Sequence, residues 1–237
     1  VNIRRRKGTG PGRDAAKSVG VDGLHGLWRD RAEAGRALGA AVRAQIGDAP
    51  NALVLGLPRG GVVVAAEVAA ALGADLDVLV VRKVGVPWQP ELALGAVTAH
   101  GDRIGNDYVI SRIGLTDAEI ESAYQRAELE ATRREEALRE GCPPLVVGGR
   151  DVVVVDDGIA TGATIRAAVL LLAAADPAPN LVLIAVPVAP PDTVEALAED
   201  VDAVVVLSQP RSFSAVGEWF EHFDQVEDDE VRQLLRR

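Results

Sequence analysis

The sequence predicts an α/β domain: a mostly parallel, open sheet flanked by helices. Three observations predict it. Short apolar runs recur at 52–57, 76–81, 152–155, 181–186 and 203–207, and strands without polar alternation are those buried on both faces. Segments with helical apolar spacing lie between several of them, and strands that alternate with helices connect in parallel. Two of the runs end in small-residue turns that lead straight into a helix, at 57–62 and 155–164, which is where open α/β sheets bind ligands.

The first helix is expected over 29–46, where Ala32, Leu38, Ala41, Val42 and Ile46 fall at roughly helical spacing, with ordered structure beginning near Leu27. Pro50 and Asn51 turn the chain into a strand at Ala52–Leu57, which Pro58-Arg59-Gly60-Gly61 breaks before a helix over Val62–Leu72. Leu76–Val81 reads as the next strand, ending at Arg82-Lys83. A looser segment follows with Gly85, Pro87, Trp88 and Pro90, and Leu92–Thr98 and Asp107–Ser111 read as strands of a hairpin. Thr116 and Glu119 form a capping box, each side chain satisfying the other's backbone N–H. A long polar helix therefore starts there and runs to about Glu140, where Gly141 and Pro143 end it. Val152–Val155 is a strand that stops at Asp156-Asp157, and a helix begins near Thr164 and runs to Leu172. Leu181–Val186 is a strand, Pro190-Pro191-Asp192 starts a helix, and Ala203–Leu207 is a further strand.

Composition bounds the rest. At 237 residues and 48 % hydrophobic, the chain buries a substantial core and is not disordered. No apolar stretch is long and charge-free enough to span a bilayer, and no apolar run follows the basic N-terminus as in a signal peptide. The single cysteine, Cys142, allows no internal disulfide and fits a reducing cytoplasm. A formal net charge of −10 argues against a general nucleic-acid binder. The charge is uneven: Arg4, Arg5, Arg6, Lys7, Arg13 and Lys17 load the first segment, while Glu227, Asp228, Asp229 and Glu230 load the last. Residues 1–24 are expected to be a mobile basic arm and 25–237 a single domain.

The stretch Asp151–Thr164 carries the chemistry. Backbone N–H groups from Ile159 to Thr164, the positive end of the following helix and the hydroxyls of Thr161 and Thr164 favour a phosphate. Two adjacent carboxylates, Asp156 and Asp157, repel a bare phosphate but accept hydrogen bonds from hydroxyls attached to it. A phosphate beside vicinal hydroxyls is a ribose 5-phosphate. The bland alternative is a strand end with ordinary Asp-Asp-Gly turn chemistry. The turn Leu57–Val62 repeats the arrangement. Gly60 and Gly61 permit close approach of a ligand, and Arg59 with the exposed N–H groups suits a second anion. It is neither a Walker loop nor a Gly-x-Gly-x-x-Gly turn. His25, His100 and His222 lack zinc-ligand spacing, and there is no Gly-x-Ser-x-Gly elbow.

With four apolar residues, two acids, a short spacer and Thr-Gly-x-Thr in place, Val152–Thr164 resembles the phosphoribosyl-diphosphate signature of the type I phosphoribosyltransferases. The resemblance extends over about Leu27 to Leu207. It implies that Asp156 and Asp157 bind the ribose 2- and 3-hydroxyls and touch Mg²⁺ indirectly, through ribose or water. It implies that Gly158, Ile159, Ala160, Thr161, Gly162, Ala163 and Thr164 wrap the 5-phosphate, and that Arg59, Gly60 and Gly61 contact the diphosphate. Lys83 resembles the lysine that meets the diphosphate, and Glu91 lies in the segment that forms a mobile flap. Lys83, Asp156, Asp157 and Glu91 are therefore the candidate catalytic residues. Arg31, in the first helix, is a further candidate to reach an anion.

A C-terminal hood, expected from about 187 to 237, chooses the acceptor in the family. Phe213, Trp219, Phe220 and Phe223 cluster there in a chain with few aromatics, and large aromatics stack on flat rings. Phe213 and Trp219 are the acceptor-pocket candidates, with a small satellite core as the alternative. The implied reaction moves the 5-phosphoribosyl group from phosphoribosyl diphosphate, with Mg²⁺, to a nitrogen acceptor such as a nucleobase, and releases diphosphate. A cytoplasmic homodimer is the expected setting. Family members that act on 6-oxopurines typically carry an acid before the signature Thr-Gly. Ala160 stands there, which weighs against hypoxanthine or guanine. The competing reading is a regulatory module that binds phosphoribosyl diphosphate without catalysis. It ranks second because the basic arm is the only candidate nucleic-acid contact.

Overall fold

A computed structural model of the chain describes residues 18–20, 27–142 and 145–236. In chain order the first elements are β1 (Ser18–Gly20), α1 (Arg31–Ile46), β2 (Leu53–Gly56), α2 (Gly60–Leu72) and β3 (Asp75–Val78). Then come β4 (Val81–Val86), β5 (Gln89–Thr98), β6 (Arg103–Gly105), α3 (Asp107–Ile113) and α4 (Asp117–Leu138). The last are β7 (Asp151–Val155), α5 (Ala163–Ala174), β8 (Leu181–Val188), α6 (Pro191–Ala198), β9 (Ala203–Ser208) and α7 (Asp228–Leu235).

The expected α/β architecture is present. Six parallel strands form the central sheet in the order β1-β9-β8-β7-β2-β3. Its inner strands are buried on both faces, and successive residues feed opposite cores. Leu55, Val152, Val154, Ile184 and Val204 pack with Ile165 and Val169 of α5 and Val194 and Leu197 of α6. Val54, Val153, Val155, Leu183 and Val205 pack with Leu38 and Val42 of α1 and Val64 and Val68 of α2. The helix after β2 thus covers one face and the helix after β7 covers the other. Because β2 and β7 are neighbours, the topological switch point lies between them.

Four expectations are corrected. The strand read over 76–81 breaks after Val78, and Val81 opens a strand of a separate antiparallel sheet, β4-β5-β6. Lys83 therefore sits inside a strand, not at the end of one. No turn residue marks the break. It arises from packing, since Leu79 enters the core with α5 while Val80 joins a cluster with Leu138 and Val231. Asp107–Ser111 is helical, not extended. The Asn106 side chain caps it by accepting from the Val109 N–H at 3.3 Å, and Gly114 ends it at φ 70°, which outweighs the β-branched residues inside it. The hood is smaller than expected: β8, α6 and β9 all belong to the central layers, so only the segment after Ser208 lies outside them. Within the expected basic arm, Ser18–Gly20 forms an edge strand paired with β9; residues 1–17 and 21–24 lie outside the described residues.

The capping box at Thr116 and Glu119 is formed as read. The flap segment is more than a loop: β4, β5, α3 and α4 enclose a core of Val84, Val86, Leu94, Val97, Val109, Ala123 and Tyr124. Among the described residues no helix is long and apolar enough to cross a membrane.

Candidate active site

The switch point brings the two sequence motifs together. Gly56 lies in register with Val155, and the Leu57 N–H donates to the Val155 carbonyl at 2.9 Å. The turns after β2 and β7 therefore leave the sheet side by side. They touch so closely that side chains are excluded. A Cβ on Gly60 would lie 1.9 Å from Asp157 Oδ2, and one on Gly61 would lie 2.8 Å from the Val155 carbonyl oxygen. This is the physical reason for two consecutive glycines. The peptide bond between Pro58 and Arg59 in this turn is cis.

Asp156 and Asp157 stand half-buried at the end of β7. The Asp157 N–H donates to Asp156 Oδ1 at 2.9 Å. Burial raises Asp156 well above the ordinary aspartate range, and the neighbouring charge of Asp157 adds to it. Burial also raises Asp157, opposed by Arg31. Arg31 does not face a free anion site, as its sequence position suggested. Its Nε donates to Asp157 Oδ2 at 2.7 Å, and its Nη1 donates to the Asp224 carbonyl at 2.8 Å.

Beyond the acids the chain wraps a cavity of about 180 Å³ lined by Asp156, residues 158–165 and Val216. Gly162 turns the chain at φ 72° so that α5 starts at Ala163, with its N-terminus facing this cavity. Ala160, Thr161, Ala163 and Thr164 are exposed to it. Ile159 departs from the sequence reading. Its side chain is buried in the core and its N–H donates to the Val188 carbonyl at 2.9 Å, so that N–H is committed to the sheet. The positive helix end, the Thr161 and Thr164 hydroxyls and the later amides remain for an anion.

Arg59 opens α2. Its Nη1 lies 3.6 Å from Asp228 Oδ1 and 3.9 Å from Glu227 Oε2. Asp228 is itself held in a two-point pair with Arg134 at 2.5 and 2.7 Å. Lys83 is exposed on β4 and lines a second cavity of about 260 Å³ between the antiparallel sheet and α5. That cavity adjoins the first, because Ala163 and Thr164 border both. Glu91 lies on β5. Phe213 and Trp219 line neither cavity. Trp219 packs half-buried against the core that holds Trp28 and Phe220, and its backbone carbonyl accepts from the Trp28 N–H at 2.8 Å. Phe213 is half-exposed.

Two residues take places at the site that the sequence does not assign them. Val216 reaches the first cavity by seating on Gly158, where a Cβ would lie 2.5 Å from its Cγ1. Phe223 lies 3.8 Å below the Arg31 guanidinium. Both come from the C-terminal segment, far in sequence from Gly158 and Arg31, which they touch. Among the described residues no group of three or more His, Cys, Asp or Glu could hold a metal ion. The two carboxylates of the pair fit a hard cation only if a ligand's oxygens complete its shell.

Two Mycobacterium tuberculosis proteins are each 47 % identical over 211 residues, covering 89 % of this chain and 47 % of the relative. They are MT0597 of strain CDC 1551 / Oshkosh and Rv0571c of strain ATCC 25618 / H37Rv, both named provisionally as phosphoribosyl transferases. The chain spans about half the length of these curated relatives. The crystal structure of TT1426 from Thermus thermophilus superposes with a TM-score of 0.78 at 43 % identity, over 88 % of this chain and 97 % of that one. The phosphoribosyl transferase domain profile matches residues 30–229, most of the chain, and the chain belongs to the phosphoribosyl transferase domain family.

Proposed function

We propose that the chain transfers the 5-phosphoribosyl group of phosphoribosyl diphosphate to a nitrogen acceptor, such as a nucleobase, and releases diphosphate. The observation that carries this reading is the contact of the two turns at the switch point. A pair of raised, half-buried carboxylates stands between a glycine turn bearing Arg59 and a helix N-terminus bearing two threonines. A ribose hydroxyl pair, a 5-phosphate and a diphosphate match these three environments: the acids, the helix end and the Arg59 turn.

In the reaction the acceptor nitrogen's lone pair forms the bond to ribose C1 while the C1–oxygen bond breaks. The leaving diphosphate takes the electron pair of the C1–oxygen bond, and the proton carried by the acceptor nitrogen passes to solvent. Asp156 and Asp157 orient the sugar by accepting its hydroxyl hydrogens. The amides of 160–164 and the Thr161 and Thr164 hydroxyls fix the 5-phosphate. Arg59 and Lys83 supply positive charge toward the leaving group. These groups act by placement and charge stabilisation. When bound, Mg²⁺ offsets charge on the diphosphate. Asp156 and Asp157 are the protein groups that would contact it, through ribose or water. Ala160 leaves the acceptor side of the loop without an acid, which weighs against a 6-oxopurine.

Titration calorimetry with phosphoribosyl diphosphate and Mg²⁺, followed by an assay of diphosphate release over a panel of bases, tests the proposal. Donor binding with turnover on one acceptor class supports it. Donor binding without turnover on any base favours a regulatory binder, and no donor binding refutes both.

A further inference from the structure

Resting on the donor-binding reading above, we propose that Arg31 is a positioning residue for the donor: it fixes the Asp157 carboxylate for the ribose, and the C-terminal segment 219–224 holds Arg31 in place. The contacts form a continuous path. Arg31 Nε donates to Asp157 Oδ2 at 2.7 Å, with the two side chains only 11 % and 16 % exposed. A pair so enclosed is not one of the exposed ion pairs that contribute little. Binding Oδ2 to Arg31 orients the carboxylate and leaves Oδ1 for a ribose hydroxyl.

The guanidinium is itself held from two sides. Its Nη1 donates to the Asp224 carbonyl at 2.8 Å, and its Cζ sits 3.8 Å from the centroid of the Phe223 ring. Phe223 stacks on the buried Phe220 with centroids 5.0 Å apart. The backbone of this segment is tied to the residues just before α1. The Trp28 N–H donates to Trp219, the Glu221 N–H to Trp28 and the His222 N–H to Arg29, at 2.8, 2.8 and 3.0 Å. The Asp30 side chain caps α1 by accepting from the Glu33 N–H at 2.7 Å, which sets the first helical residue, Arg31, toward β7. Gly60 closes the arrangement, since a Cβ there would meet both Asp157 Oδ2 at 1.9 Å and Arg31 Nε at 2.8 Å. The aromatic cluster at the C-terminus thus supports the ribose end of the site. A lysine can keep the charge beside Asp157 but reproduces the role only in part, because it lacks the planar fork that serves Asp157 and Asp224 together.

The test uses calorimetric titration of the full chain with two probes, ribose 5-phosphate and Mg²⁺-diphosphate. The first needs the acid pair and the second needs the Arg59 turn. R31Q is expected to weaken ribose 5-phosphate at least tenfold and to leave diphosphate within twofold. R31K should recover part of the loss, and F223L should show a smaller loss of the same selectivity. The double variant R31Q/D157N should bind ribose 5-phosphate no more weakly than D157N alone. If R31Q does not fold because it strands a buried carboxylate, the double variant and F223L decide the matter. Equal loss for both probes, tighter ribose 5-phosphate binding in R31Q, or additive losses in the double variant would overturn the role of Arg31. A wild-type chain that binds neither probe refutes the donor-binding reading itself, and the role of Arg31 falls with it.

Discussion

Asp156→Asn should make the ligand-free protein more stable while it cripples donor binding. Asp156 Oδ1 accepts the Asp157 N–H at 2.9 Å, and the amide oxygen of asparagine can accept the same bond. What changes is the charge. Burial, and then the charge on Asp157, hold Asp156 well above the ordinary aspartate range. A group raised in the folded state contributes stability that is fully present below its unfolded value and is lost as pH rises through the folded one. At neutral and higher pH the buried charge is therefore a cost, and asparagine does not carry it. A change of 1 kcal/mol moves the midpoint of a domain of this size by about 2–4 °C, so a gain of that order is expected. The donor, in contrast, loses a charge-assisted hydrogen bond worth roughly 1.5–3 kcal/mol. At 1.4 kcal/mol per factor of ten, affinity falls about 10- to 150-fold. Thermal melts of both proteins across about pH 5–8, with calorimetric titration of phosphoribosyl diphosphate and Mg²⁺, check both halves. The stability gap should narrow as pH falls and the wild-type pair takes up a proton. A variant less stable at the upper end, a gap independent of pH, or unchanged donor affinity would refute the reasoning.

Gly60→Ala should reduce donor affinity at least as much as Asp156→Asn, because its Cβ would fall 1.9 Å from Asp157 Oδ2; wild-type binding would show that the turns part freely. Trp219→Ala should lower stability by about 2–4 kcal/mol, toward the lower part of the range for buried aromatics because Trp219 is half-buried. Acceptor affinity of the folded variant should be unchanged, and selective loss of acceptor turnover at wild-type melting temperature would restore Trp219 to the acceptor pocket. Chelation should abolish diphosphate release and added Mg²⁺ restore it, while the protein without donor binds Mg²⁺ only weakly; full activity in excess chelator would remove the metal from the scheme.

Local chemistry explains which elements were legible. The valine run of β7 and the Thr116 capping box act through neighbours in sequence, and each appears where the sequence places it. The misread elements depend on distant contacts or on a weaker cap. Nothing near Leu79 marks the passage from one sheet to another, because the break is made by two cores pulling adjacent side chains apart. Asn106 caps the helix over Asp107–Ile113, whereas the β-branched residues after it favour a strand by local preference.

The site divides along the same line. That two carboxylates end a buried strand and lead through Thr161 and Thr164 to a helix N-terminus is legible from the residues alone. Those features follow from residue type, spacing and backbone preference. Long-range packing makes the Gly60 turn press against Asp157, engages the Ile159 N–H with Val188, and sets Phe223 against Arg31 instead of in either cavity at the site. These contacts join residues separated by as many as 193 positions, and they exist because parallel pairing of β2 with β7 sets two turns side by side at the switch point.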